Sequence, residues 1–181
     1  MLEQKMHFLT SLKSESRYLI IGCSGSGKST LARAIAECME IPYYDTDSLY
    51  WREGWELRSD EDVVQSLPLD SPNWVLDGNF VGMREEVWNR ATCIILLDLP
   101  PAETIWNTTR RNLGWWIKRT PTWSGNVMPL RIALSGIKHS KQQTKRFAED
   151  FPNYLTEHED KQIFRIRKRS DLEKFMASLK Q

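Results

Sequence analysis

A chain of 181 residues with 40% hydrophobic and 27% charged side chains is long enough for one domain with a real core, and no apolar run in it reaches the length a bilayer crossing needs. The net charge of +1 selects no partner by itself, but its distribution is uneven. No acidic residue falls between Glu103 and Glu149, where Arg110, Arg111, Lys118, Arg119, Arg131, Lys138, Lys141, Lys145 and Arg146 all lie.

The start, "MLEQKMHFLTSLKSESR", has no apolar h-region and reads as an N-terminal extension over 1–17, ahead of one domain over 18–181. "YLII" (Tyr18 to Ile21) is a short apolar run ending in glycine, the pattern of a buried strand. Leu31, Ala32, Ile35, Ala36 and Met39 then recur at helical spacing from Ser29. "IPYYD" (Ile41 to Asp45) is a second strand, and Ser59 with Asp62 caps a short helix. "WVLD" (Trp74 to Asp77) is a third strand and "GMREEVWNR" a helix. "CIILLDL" (Cys93 to Leu99) is a fourth strand, stopped by Pro100 and Pro101, with a helix following through Trp106 to about Trp116. "RTPTWSGNVMP" is a loop, and a helix runs from Leu130 towards Phe147. "QIFRIR" (Gln162 to Arg167) is a fifth strand, and Ser170 with Glu173 caps a last helix ending near Leu179. Buried strands alternating with helices give a three-layer α/β domain around a parallel sheet.

Gly22-Cys-Ser-Gly-Ser-Gly-Lys28-Ser29 satisfies G-x-x-x-x-G-K-[ST] between a strand and a helix. Glycines let the backbone wrap an anion, successive N–H groups form a nest, and the helix start adds its positive dipole end. Gly22 and Ser24 to Thr30 therefore form a nucleotide triphosphate site, with Lys28 on the outer phosphates and the Ser29 hydroxyl on Mg²⁺. Asp45 and Asp47 end the second strand and Asp77 ends the third, the side of a parallel sheet where ligands bind.

With these residues in view, the chain resembles the small P-loop kinases: nucleoside monophosphate kinases of the adenylate kinase type, and shikimate and gluconate kinases. "LDG" (Leu76-Asp77-Gly78) is similar to the strand-end motif of adenylate kinases, and Asp45-Thr46-Asp47 to the strand-two pair of shikimate kinases. "DTDSLYWREGW", "WVLDGNF", "IILLDLP" and "RRNLGWW" together look closest to the adenylate-kinase-like group often called DNA topology modulation proteins. The resemblance spans Tyr18 to Leu179. It implies a P-loop NTPase fold with strand order 2-3-1-4-5, an ATP site, and an arginine-rich lid at about 107–130. It further implies that Asp77 holds Mg²⁺ through water with help from Asp45, and that Asp47 binds the acceptor hydroxyl or acts as base. Gly78 and Arg84 would contact the acceptor, while Arg110 and Arg111 would close on the transferring phosphoryl group. Asn79 and Phe80 depart from the adenylate kinase pattern, and the segments that read AMP or shikimate have no counterpart here.

Other residues read more plainly. Trp74, Trp88 and Trp106 sit in element patterns and are expected in the core. Trp51 and Trp55 flank Gly54 and form either an aromatic wall for the acceptor or, the simpler reading, core or lid packing. Asp98 is expected to be structural, Arg167 to edge the adenine pocket, and Lys138, Lys141, Lys145 and Arg146 to form a solvated face. Cys23, Cys38 and Cys93 contain no C-x-x-C, the histidines have no ligand spacing, and a cytoplasmic setting fits. The sequence thus favours an ATP- and Mg²⁺-dependent kinase acting on an unidentified small molecule. The alternative is a non-catalytic ATP-binding regulator that meets DNA or another partner.

Overall fold

The computed structural model describes residues 16–80, 82–157 and 161–179, so most of the expected N-terminal extension lies outside the described residues. Ser16 and Arg17 already belong to the first strand, β1 (Ser16–Gly22). The other strands are β2 (Tyr43–Asp45), β3 (Asn73–Asp77), β4 (Cys93–Leu97) and β5 (Gln162–Ile166). All pair in parallel, in the order β2-β3-β1-β4-β5.

Alternation along β1 shows why the sheet is covered on both faces. Tyr18 and Ile20 point to one side, where they meet Leu31 and Ile35 of α1 (Lys28–Met39) and Leu172 and Phe175 of α7 (Arg169–Ser178). Leu19 and Ile21 point to the other, where they meet Trp74, Leu76, Trp88 and Ile94. Between β2 and β4 lie α2 (Thr46–Tyr50), α3 (Asp60–Gln65) and α4 (Arg84–Trp88). The Ser59 cap forms, the Asp62 N–H donating to Ser59 Oγ at 3.1 Å. Among the described residues no helix is long and apolar enough to cross a membrane.

Two long helices complete the domain, α5 (Pro101–Lys118) and α6 (Leu130–Glu157). The expected helix from Leu130 continues past Phe147 to Glu157. The buried stripe of α5 is polar: Thr104, Thr108 and Asn112. Trp106, expected in the core, is 66% exposed, because the face that α5 turns inward covers a loop of polar backbone instead of the apolar sheet. The Ser170 cap also fails to form. The helix starts at Arg169, two residues before a Ser170 cap would begin it, with Lys168 as its uncapped flank. Lys138, Lys141, Lys145 and Arg146 do lie exposed along α6.

Helices α5 and α6 approach closely at Gly136, where an added Cβ would stand 2.6 Å from Asn112 Nδ2. Asn112 Nδ2 donates to the Ala133 carbonyl at 3.5 Å in the same crevice. Gly136→Val should force the helices apart and lower unfolding stability by about 1–3 kcal/mol, measured by urea denaturation.

Candidate active site

At the carboxyl end of β1 the chain turns through Gly22–Gly27 into α1. Gly27 is left-handed at φ 100°, and Gly25, at φ 78°, lies so close to the Thr104 carbonyl and Thr108 that a side chain would not fit. The Ser26 N–H closes the turn on Cys23 O at 3.1 Å, and Gly22 N–H donates to Asn79 Oδ1 at 2.9 Å. Asn79, where the chain departs from the adenylate kinase pattern, thus pins the start of the turn. The N–H groups of Gly25, Gly27, Lys28, Ser29 and Thr30 carry no hydrogen bond among the described residues. All five residues line one cavity of about 790 Å³. Gly22 and Ser26 do not line it: Ser26 is fully buried, its Oγ without a hydrogen-bond partner in the described structure.

Ser24, Asp45, Asp47, Asp77, Gly78, Arg110 and Arg111 line the same cavity. Lys28 Nζ donates to Cys23 O at 3.2 Å. Dense surrounding protein pushes the Lys28 ammonium below the usual lysine range, against the pull of Asp77 and Asp47. Asp77 accepts from the Thr46 N–H at 3.3 Å, and burial raises its pKa, opposed chiefly by the Ser29 hydroxyl. Asp47 opens onto the cavity, yet packed protein around it also raises its pKa, opposed first by Lys28. Asp45 caps α2, its Oδ1 accepting from the Ser48 N–H at 3.4 Å, and pairs with Arg33 at 3.8 Å. Arg33 in turn lies 5.5 Å over the Tyr43 ring.

The oxygen donors Ser29, Asp45 and Asp77 suit a hard cation such as Mg²⁺. Among the described residues no group of three or more His, Cys, Asp or Glu side chains forms a metal cluster. A metal bound mainly through substrate phosphates and water needs only one or two carboxylates.

Arg111 is held on three sides. Nη2 donates to Ser24 Oγ at 3.3 Å, Nε to Asn112 Oδ1 at 3.3 Å, and the guanidinium lies 4.8 Å over Trp115. Arg110 also faces the cavity but is exposed. The Arg84 side chain lies outside the described side chains. Asp98 pairs with Arg165 at 2.7 Å and Arg167 at 3.7 Å, which takes Arg167 out of the cavity wall. Its place is taken by Arg169, paired with Glu103 at 2.6 Å.

Trp51 does not reach the cavity. It closes a hairpin with Leu57, and a matching hairpin runs from Pro121 to Val127. Each holds a 3₁₀ turn, and Arg52 N–H to Glu56 O and Thr122 N–H to Asn126 O close them alike at 2.8 Å. Asn126 clasps the two together. Its Oδ1 accepts from Gly54 N–H at 2.8 Å, and its Nδ2 donates to Arg52 O at 2.8 Å and Trp123 O at 2.9 Å. Edge-on rings run beside this joint, Trp51 to Trp55 at 5.1 Å, Trp55 to Trp123 at 6.4 Å and Trp123 to Trp115 at 5.5 Å. The aromatic residues on the cavity wall are Tyr50, Phe80, Trp115 and Trp123. The stretch 107–130 is therefore the second half of α5 plus this clasped hairpin.

Sequence reasoning missed Arg33, Asn107, His139, Gln143 and Arg169 in the wall. Only Asn107, one turn before Arg110 and Arg111, carried a local signal. No family model and no curated protein matches the chain.

Two outcomes follow from this geometry. A carboxyl with a raised folded-state pKa is penalised once ionised. The penalty grows as pH rises through its unfolded value near 3.8 and is complete above the folded one. Asp77→Asn, which keeps an oxygen for Thr46, should raise the melting temperature of the ligand-free protein at pH 7 by differential scanning calorimetry, and the gain should vanish in acid. Asn126→Ala should cost about 1–3 kcal/mol and speed hydrogen exchange at Gly54 and Asn126 while leaving the sheet protected.

Proposed function

We propose that this chain is an ATP- and Mg²⁺-dependent phosphotransferase that moves the γ-phosphoryl group to a hydroxyl-bearing small molecule. The observation that carries this reading is the set of five uncommitted amide donors facing a cavity that also holds Lys28, Arg111 and Asp47. An anion with several oxygens complements those donors, as helix N-termini and backbone nests complement phosphate.

On this reading Gly25 and Gly27 to Thr30 hold the phosphate chain, and Lys28 neutralises its outer part. Mg²⁺, bound with the triphosphate near Ser29, Asp77 and Asp45, would supply charge neutralisation on the phosphate oxygens. Arg111, already held by Ser24, Asn112 and Trp115, faces the equatorial oxygens with little reorganisation left. The acceptor oxygen forms a bond to the γ-phosphorus, the bond to the β–γ bridging oxygen breaks, and ADP leaves. Asp47 takes the hydroxyl proton, and a carboxylate pushed up by its surroundings is a stronger base than a free one. Trp123 of the clasped hairpins lines the cavity, and on this reading it would help keep water from intercepting the phosphoryl group.

ATP turnover screened across nucleoside monophosphates, nucleosides, sugars and hydroxy acids tests the reading. Turnover with at least one acceptor is expected, and its absence with all of them sinks the proposal. With the active acceptor, Arg111→Lys should lower kcat by about 10³-fold, because lysine lacks the planar fork. Lys28→Met should lower kcat/KM by at least about a hundredfold.

A further inference from the structure

Ser24 is the loop residue on which three outside side chains converge, Gln143, Arg111 and Thr108. Its N–H donates to Gln143 Oε1 at 2.8 Å, and its hydroxyl accepts from Arg111 Nη2. Lys28 Nζ touches the neighbouring carbonyl, that of Cys23. The lysine that reaches the outer phosphates thus ends within one residue of the place where α5 and α6 touch the loop. The opposite end of the loop is marked by Arg169, whose Nη1 would stand 3.3 Å from a Cβ on Gly27. On the proposed reading, a triphosphate on the amides of Gly27 to Thr30 would have its terminal group on the Ser24 side.

A backbone N–H only donates, so the Gln143 atom that faces Ser24 is the carbonyl oxygen, and the amide orientation is fixed. The NH₂ group makes no hydrogen bond among the described residues, on a side chain that lines the cavity. One amide therefore has its oxygen spent on the loop and its donors unspent. Such a donor responds to a third phosphate without adding positive charge that would hold a diphosphate product as well.

We propose that Gln143 is the residue by which the chain distinguishes a nucleoside triphosphate from a diphosphate. Its Oε1 braces Ser24 while its Nε2 donates to the terminal phosphate beside Arg111. This rests on the nucleotide site proposed above.

The test is calorimetry on the full chain with Mg²⁺, using a non-hydrolysable ATP analogue and ADP as probes. Gln143→Ala should weaken the analogue about tenfold and ADP no more than about twofold. Gln143→Glu keeps an oxygen for the Ser24 N–H but loses the donor and adds a negative charge. It should weaken the analogue further, about a hundredfold, with a smaller effect on ADP. A bracing role alone predicts the reverse: the Glu variant like wild type, and the Ala variant weak for both nucleotides. Either of those results overturns the inference. Unchanged binding in both variants overturns it while the nucleotide site stands, whereas no binding by wild type overturns both. Thermal melts establish that each variant is folded, and Gln143→Glu alone decides the matter if the Ala variant is not.

Discussion

Five backbone donors held off the protein's own acceptors set the constraint that the rest of this structure accommodates. Folded chains normally pair their amides, so a turn that leaves several uncommitted cannot hold its own shape. Side chains from other elements hold it instead. Asn79 accepts from Gly22, Gln143 accepts from Ser24, and Asn107 donates to the Gly25 carbonyl at 3.1 Å. Thr108 completes the set, its Oγ1 lying 3.3 Å from Ser24 Oγ in a hydroxyl–hydroxyl hydrogen bond. This explains why α5 buries threonines and an asparagine, and why α6 must lie close enough for Ser140 Oγ to meet Thr108 Oγ1 at 3.5 Å.

A second constraint is electrostatic. Lys28 is pushed towards neutrality and so are Asp47 and Asp77, each by the protein packed around it and each opposed by the other sign. The Ser29 hydroxyl and the Arg33 guanidinium absorb part of the imbalance, on Asp77 and Asp45 respectively. On the proposed reading, a triphosphate and its divalent cation bring the two charges that this arrangement lacks. Breaking the set by removing one member leaves the others less well paired, which couples the residues energetically.

Much of the fold was legible because its signals are local. Apolar runs such as Tyr18 to Ile21 mark strands, and the spacing of Leu31, Ile35 and Met39 marks the helix behind the glycine loop. Asp45 and Asp77 could be placed on the site because strand ends in a parallel sheet fall on one edge. The remainder depends on contacts between distant residues. Gln143 lies 119 positions from Ser24, and nothing in α6 distinguishes it from its polar neighbours. Trp106 was misplaced because helical periodicity assumes an apolar face, whereas α5 buries a polar one. For Trp51 the packing alternative holds and the acceptor wall does not, and the sequence could not decide between them because the hairpin that takes it away is held by Asn126, more than seventy residues further on.

The row of indoles beside the clasp gives the protein an optical signature of its own. Rings set edge-on at 5.1 to 6.4 Å mix their excited states, so the near-ultraviolet circular dichroism carries a contribution that isolated tryptophans would not give. The row ends at Trp115 under the Arg111 guanidinium, one side chain away from the glycine loop. Parting of the two hairpins, or a shift of that guanidinium, changes the spectrum directly, with no label attached.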